Sequence, residues 1–296
     1  MNCRPHGLPS SLASETTLNR LLAVAFQTTL RRQEKSLGRC ITKITFRRVH
    51  ALRVETRRLL AQVALMGGFS AAVKKKFRHA LKRTLRATAG MSDARAQTRL
   101  LDDVVPGHPE LKPFARHLRQ MEERAIEFAG RKLQRQKAGA RLARLARLLG
   151  EPAKRGGALP GVRRRLREAV LALADFTAAR RCGPIGLHRA RLAVKNVRYM
   201  AESLHSALPP SSAAWVERLQ YRQRLMGEIH DLDLLAKRLA KYVAKRRPAR
   251  RELQPVQTLL ARRRQQLAGW YRVQRFPSPA MSRWFRHGRA PLPPPS

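Results

Sequence analysis

The fold is decided by residues 187–204, whose sequence is LHRARLAVKNVRYMAESL. An α-helix turns by about 100° per residue, so residues three, four and seven apart share a face. On such a helix the apolar side chains of this stretch fall on one side and a basic stripe falls on the other. The stretch therefore predicts an amphipathic helix that packs one face into a core. The opposite face presents His188, Arg191, Lys195 and Arg198.

A related pattern, VHALRVETRRLLAQVALM, occurs 138 residues earlier, at residues 49–66. In both copies an aspartate follows the histidine at the same distance, 43 residues further along the chain. A spacing shared across several elements is the signature of an internal duplication. The positions that match are His50 and His188, Arg53 and Arg191, Arg57 and Lys195, and Asp93 and Asp231.

The rest of the chain also predicts helices, because Ala, Leu, Arg and Gln dominate and β-branched residues are sparse. We expect an all-α fold of two pseudo-symmetric helical bundles around a basic central groove or channel. Residues 1–13 and 276–296 are predicted to be disordered; the first half spans 14–138, a linker 139–160 and the second half 161–275. The predicted helices are 16–35, 44–66, 71–89, 93–105, 110–137, 161–181, 186–207, 211–227, 231–247 and 250–273.

The charge of the chain restricts its partners. It has 63 Lys and Arg against 19 Asp and Glu, a formal net charge of +44. So large an excess favours a polyanion, namely nucleic acid, a polyphosphate or an acidic membrane surface, over a neutral small-molecule substrate. No apolar run approaches the roughly 20 residues that span a bilayer, and three scattered cysteines fit a reducing compartment. We expect a cytoplasmic protein without a membrane span.

Two motifs carry a family resemblance. His-x-x-Arg-x-x-x-Lys-x-x-Arg-Tyr at 188–199, followed by Gly-Glu-Ile-His-Asp-Leu-Asp at 227–233, resembles the conserved-histidine α-helical domain (CHAD) family over about residues 14–275. The resemblance implies two pseudo-symmetric bundles around a basic channel that binds inorganic polyphosphate, and association with polyphosphate granules. Some members are fused to a triphosphate tunnel metalloenzyme. Its Glu-x-Glu-x-Lys signature does not occur here, which predicts a stand-alone binding module.

The first copy departs from the family pattern in two places. Where the family usually has Arg/His-Asp-x-Asp, this chain keeps Asp93 but has Arg95 in place of the second acid. Leu60 stands where the second copy has Arg198. The pseudo-symmetry is therefore expected to be imperfect, although the basic stripe of the first copy is intact.

The predicted polyphosphate site combines both stripes. Arginine guanidinium groups can donate two hydrogen bonds at once to phosphate oxygens, and lysine ammonium groups pair with their charge. The two histidines either contact the ligand or orient the matching aspartates. Asp93 and Asp231 are interpreted as helix N-caps, and Glu202 is expected to pair with Arg198. The predicted polyphosphate-binding residues are His50, Arg53, Arg57, His188, Arg191, Lys195 and Arg198, with Lys82, Arg86, Arg222 and Arg224 as weaker candidates.

Two alternatives to this non-enzymatic polyphosphate-binding function remain. A DNA- or RNA-binding protein would suit the charge, but aromatic residues make up only 5% of the chain and offer few stacking platforms. A phosphohydrolase would need a metal site, and His230, Asp231 and Asp233 lack the further acid such a site requires. We therefore expect no metal and no cofactor. The oligomeric state is left open.

Overall fold

The structure, a computed structural model, describes residues 14–68, 70–135, 144, 161–178, 184–209, 212–246 and 249–273. The predicted disordered ends, 1–13 and 276–296, lie outside the described residues, and so does the predicted linker 139–160 except for residue 144. The described part of the chain contains helices and turns but no strand, which confirms the all-α fold.

Five α-helices form the first half and five the second, counted over the described residues. Short 3-10 turns at Val105–Gly107, Pro109–Leu111 and His205–Ala207 join some of them. The helices are α1 (Glu15–Thr42), α2 (Phe46–Leu65), α3 (Ala71–Ala87), α4 (Ala89–Asp102), α5 (Lys112–Arg135), α6 (Val162–Ala178), α7 (Pro184–Ser203), α8 (Ser212–Ala244), α9 (Ala249–Glu252) and α10 (Gln254–Val273).

Side-chain caps fix the first turns of the first three helices. Ser14, Thr45 and Ser70 each accept a hydrogen bond from the backbone N–H three residues later, at 3.2–3.3 Å. Each cap satisfies one of the backbone donors that a helix leaves unpaired at its start. The Thr45 cap sets where α2, which carries the first basic stripe, begins.

The prediction of two helices over 211–227 and 231–247 is wrong, because α8 runs without a break from Ser212 to Ala244. A glycine inside a helix costs about 1 kcal/mol relative to alanine. Here the apolar face on both sides of Gly227 is buried, with Met226 and Ile229 fully enclosed, and this burial outweighs the cost.

The interpretation of the two aspartates as N-caps is wrong for the same reason. Asp231 lies in the middle of α8, and Asp93 lies inside α4, whose N-cap residue is Thr88. Helix propensity cannot show this, because tertiary burial of the apolar face decides whether a helix continues through a glycine. Both carboxylates are therefore side chains on helix faces, free to interact with neighbouring helices.

The two halves share one core. The larger cluster of buried apolar residues draws on every helix from α1 to α8 and on α10, and a smaller one lies among α1 to α5. Across the halves, α2 packs on α7 and α4 packs on α8. The helices that pair are those that carry the matching stripes and the matching aspartates. The internal duplication itself stays a prediction.

Candidate functional site: a central cationic cluster

The packing of α2 against α7 brings the two basic stripes together. Besides burial, the charges of Arg57 and Arg191 lower the pKa of Arg53, and the charge of Arg191 lowers that of Arg57. All three arginines lower the pKa of Lys195, so these four residues of α2 and α7 lie close together. Arg198 lies beside Arg57 in the same group. We call these five residues the central cluster. Gathering five cations at one helix interface costs free energy, and a bound anion would offset that cost.

The pKa of Lys195 responds strongly to burial and to the neighbouring cations. Burial, followed by the charges of Arg191, Arg57 and Arg53, lowers the pKa of its ammonium group from 10.5 to about 6, while Asp231 acts in the opposite direction. Burial removes the water that would solvate the charge, and the neighbouring cations repel it. The ligand-free cluster therefore holds a largely neutral amine at pH 7.

Arg53 is anchored rather than exposed. Its Nη1 donates to the carbonyl oxygen of Leu85 at 2.8 Å and to the hydroxyl of Thr88 at 2.9 Å, both at the end of α3, and the residue is 8% exposed. Burial and the charge of Arg57 lower the pKa of Arg53 to about 10, against the opposing charge of Asp93. Arg53 thus ties α2 to α3 while it contributes charge to the cluster.

Tyr199 and Glu202 fix the arginines around them. The guanidinium of Arg198 lies 4.2 Å from the ring centroid of Tyr199, which is almost fully buried. Arg198 also pairs with Glu202 at 3.0 Å, as the sequence predicts. Burial lowers the pKa of Arg57, and the phenol of Tyr199, a hydrogen-bonding neighbour, partly restores it. Tyr199 therefore acts as a packing platform, and Arg198 and Arg57 have restricted geometries.

Asp93 and Asp231 lie together next to the cations, where α4 packs on α8. Burial raises the pKa of Asp231 to about 6; Arg191 and Lys195 oppose the shift, and Asp93 adds to it. Burial and the charge of Arg191 also lower the pKa of His230, which is another neighbour of Asp93. The cluster is thus bordered by two carboxylates that only partly compensate its charge.

The two predicted histidines are exposed at the edge of the cluster. Burial of the imidazole and the charges of Arg57 and Arg53 lower the pKa of His50. The ring of His188 stands 5.7 Å from that of His230. Within the described residues neither His50 nor His188 hydrogen-bonds to an aspartate, so the structure offers no contact by which they would orient the two carboxylates.

The weaker candidates differ in exposure and in their neighbours. Lys82 and Arg86 are on the exposed face of α3. Arg224 is exposed on α8, 5.9 Å from the ring centroid of Tyr221. Arg222 is buried at 3% exposure and faces Tyr271 of α10. Nine residues separate Arg222 from Asp231, which places the two on opposite sides of α8.

Arg191 and Lys195 are the residues of the central cluster that have no direct protein partner within the described ranges. Among the described residues neither forms an ion pair or a hydrogen bond, and the Nε atom of Arg191 is buried without a partner. A buried donor left unpaired costs about 1–3 kcal/mol, so it is a ready contact for an incoming acceptor. By contrast, Glu55 and Glu202 both lie near Arg58 on the adjoining surface.

Sequence reasoning missed Arg238 of α8. Burial lowers its pKa and the charge of Asp93 raises it, and its Nη1 atom is buried without a hydrogen-bond partner in the described part of the chain. The sequence spacing could have identified Arg238, since it follows Asp231 by seven residues and so shares its helix face. The predicted break after residue 227 concealed how far this face continues.

Within the described ranges no three His, Cys, Asp or Glu side chains come together in a way that could hold a metal ion. Asp233, suggested by the sequence as part of such a set, pairs instead with Arg264 at 2.5 Å. No described helix is both long enough and apolar enough to cross a bilayer.

Fold and cluster together define an all-α protein with a site of concentrated positive charge between paired helices. A family profile for the CHAD domain matches residues 25–240, and the chain belongs to this family, which is linked to polyphosphate binding. The crystal structure of the CHAD domain from the plant Ricinus communis superimposes with a TM-score of 0.63 at 16% identity, covering 94% of this chain and 98% of that one. No curated protein matches the chain.

Proposed function

We propose that this protein binds inorganic polyphosphate without chemical turnover, through the central cluster. The observation that carries the proposal is the meeting of the α2 and α7 stripes. Among the described residues Arg191 and Lys195 form no ion pair or hydrogen bond there, and the nearby Asp231 offsets only part of the charge. A linear chain of phosphates supplies closely spaced negative oxygens, which suit a row of cations on adjoining helices. Family membership supports the same ligand.

The proposed site is a groove or channel lined by both stripes. Arg57, Arg191, Lys195 and Arg198 would contact phosphate, with the exposed His50 and His188 at its ends. Each neutralised phosphate releases condensed counter-ions, which makes the association favourable at low salt. We further propose that the protein resides in the cytoplasm at polyphosphate granules, where long chains would engage many cations at once.

A competition experiment tests this function against the nucleic-acid alternative. Long-chain polyphosphate and duplex DNA are compared at matched charge concentration and fixed salt, each displacing a labelled sample of the other. We expect polyphosphate to displace DNA at much lower concentration. If DNA binds at least as well and readily displaces polyphosphate, the protein is a general polyanion or nucleic-acid binder instead.

The absence of turnover is tested separately. The protein is incubated with polyphosphate and Mg²⁺ or Mn²⁺, and the released orthophosphate is measured over time. We expect no release above the protein-free control. Release that depends on protein concentration and disappears in the Arg191→Ala/Lys195→Ala double variant would instead make this site the catalytic centre of a phosphohydrolase.

A further inference from the structure

A second group of cations lies between α5 and the C-terminal part of α8. His117 and Arg124 come from α5, Arg238 from α8, and Lys245 and Arg246 from the turn that follows α8. Burial of the His117 imidazole, followed by the charges of the four other residues, lowers its pKa. We call these five residues the second cluster.

Aromatic rings pack against part of the second cluster. The ring of Tyr242 lies 5.5 Å from that of His117 and 5.1 Å from that of Phe114. The guanidinium of Arg246 stands 4.5 Å from the centroid of Tyr242 and donates a hydrogen bond to its hydroxyl. His117 and Arg246 are exposed residues that both pack against the Tyr242 ring.

Arg238 links the two clusters. It responds to the charge of Asp93, which borders the central cluster, and its own charge acts on His117 of the second. Its Nη1 atom is buried without a hydrogen-bond partner among the described residues. Asp231 and Arg238 lie seven residues apart on one face of α8, a rise of about 10 Å. Lys245 follows seven residues later, in the turn after the helix. The basic surface thus continues along α8 beyond the central cluster.

We propose that the second cluster is a further phosphate-binding subsite, which engages a more distant segment of the same chain through Arg238. This inference rests on the proposed function. A short chain bound at the central cluster does not reach Lys245 and Arg124, whereas a long chain occupies both clusters at once. Joining two sites on one ligand raises affinity through effective concentration, so this subsite gives the protein a preference for long chains.

The test compares tripolyphosphate with long-chain polyphosphate at fixed pH and salt. The variant is Arg124→Ala/Lys245→Ala, whose side chains are exposed, and the matched control is Arg262→Ala/Arg263→Ala, two exposed cations of α10. We expect the variant to lose about tenfold in affinity for the long chain, the equivalent of about 1.4 kcal/mol, and to bind tripolyphosphate as the wild type does. The control should lose little for either ligand.

Equal losses for both chain lengths, or a long-chain loss no larger than that of the control, would overturn the second subsite. If the wild type binds neither ligand, the proposed function itself fails, which is a distinguishable result. The imidazole resonances of His117 give an independent readout: they should shift when the long chain is added and stay unchanged with tripolyphosphate. An unchanged His117 signal with the long chain would also reject the subsite.

Discussion

The lowered pKa of Lys195 shows that placing several cations at one helix interface is energetically unfavourable. Its position on the basic stripe follows from helical periodicity alone, and the stripe meets its counterpart because α7 packs on α2. The burial that lowers its pKa to about 6 could not be predicted, because it depends on which helix covers the stripe. The anchoring of Arg53 could not be predicted either, because its hydrogen bonds to Leu85 and Thr88 depend on where α3 ends.

Replacing Lys195 by methionine should stabilise the ligand-free protein. The folded-state pKa of about 6 lies below the ordinary value of 10.5, so between these values the unfolded chain binds more protons and wild-type stability rises with pH. The gain in free energy of unfolding for Lys195→Met should accordingly be larger at pH 7 than at pH 9. Urea unfolding measures it, with the exposed Lys82→Met as control. A gain that does not change with pH would contradict the burial of an ionisable amine.

Polyphosphate binding should take up protons near pH 7.5. Phosphate oxygens favour the charged ammonium of Lys195, which is largely neutral before binding, and lower pH should therefore strengthen binding. Protonation of Asp231 as pH falls through about 6 removes a nearby negative charge and acts in the same direction. Calorimetry in buffers of different ionisation enthalpy counts the protons. Lys195→Met should lower the count; an identical count in both proteins would show that Lys195 does not respond to the ligand.

At the scale of the element, α8 shows where local sequence patterns mislead. The sequence predicts a helix end at Gly227 because glycine is a common helix terminator. It also predicts that a new helix begins at the acidic residues that follow. The helix continues because its apolar face is buried on both sides of the glycine. The stripes of α2 and α7 were predictable because a periodic pattern over four or five turns is a stronger signal than one residue.

Gly227→Ala should stabilise the protein by about 0.5–1 kcal/mol, because alanine loses less conformational entropy in a helix than glycine does. A Cβ atom at this position would meet no other atom within 4 Å. Chemical denaturation measures the change. Gly161→Ala is the contrasting control: its φ of +82° is strained for alanine, so that variant should lose stability. A loss in Gly227→Ala would indicate that α8 is interrupted there.

For the whole molecule, the net charge of +44 separates into two parts. Part of the charge lies in the central and second clusters, where helices hold cations at defined positions. The remainder, including exposed cations on α3 and α10, adds attraction without a defined geometry. The sequence predicted the first cluster through its repeated stripe, whereas the second required the packing of α5 against the end of the uninterrupted α8.

The salt dependence of polyphosphate binding distinguishes the charge held in the clusters from the dispersed charge. The logarithm of the binding constant should fall linearly with the logarithm of salt concentration, with a slope set by the number of phosphates neutralised. Arg191→Ala/Lys195→Ala should have a shallower slope for polyphosphate than the wild type, as judged by titrations at several salt concentrations. Parallel lines for the two proteins would mean that the lost side chains do not neutralise phosphate.

The most direct test of the central claim is the affinity for long-chain polyphosphate of three proteins at one pH and salt concentration. They are the wild type, Arg191→Ala/Lys195→Ala in the central cluster, and Arg262→Ala/Arg263→Ala on the exposed face of α10. Hydrogen bonds to charged groups contribute about 1.5–3 kcal/mol each. The central-cluster variant should therefore lose at least about 100-fold in affinity, and the α10 variant only a few-fold. Equal losses in the two variants would contradict a defined site and leave diffuse charge attraction as the explanation.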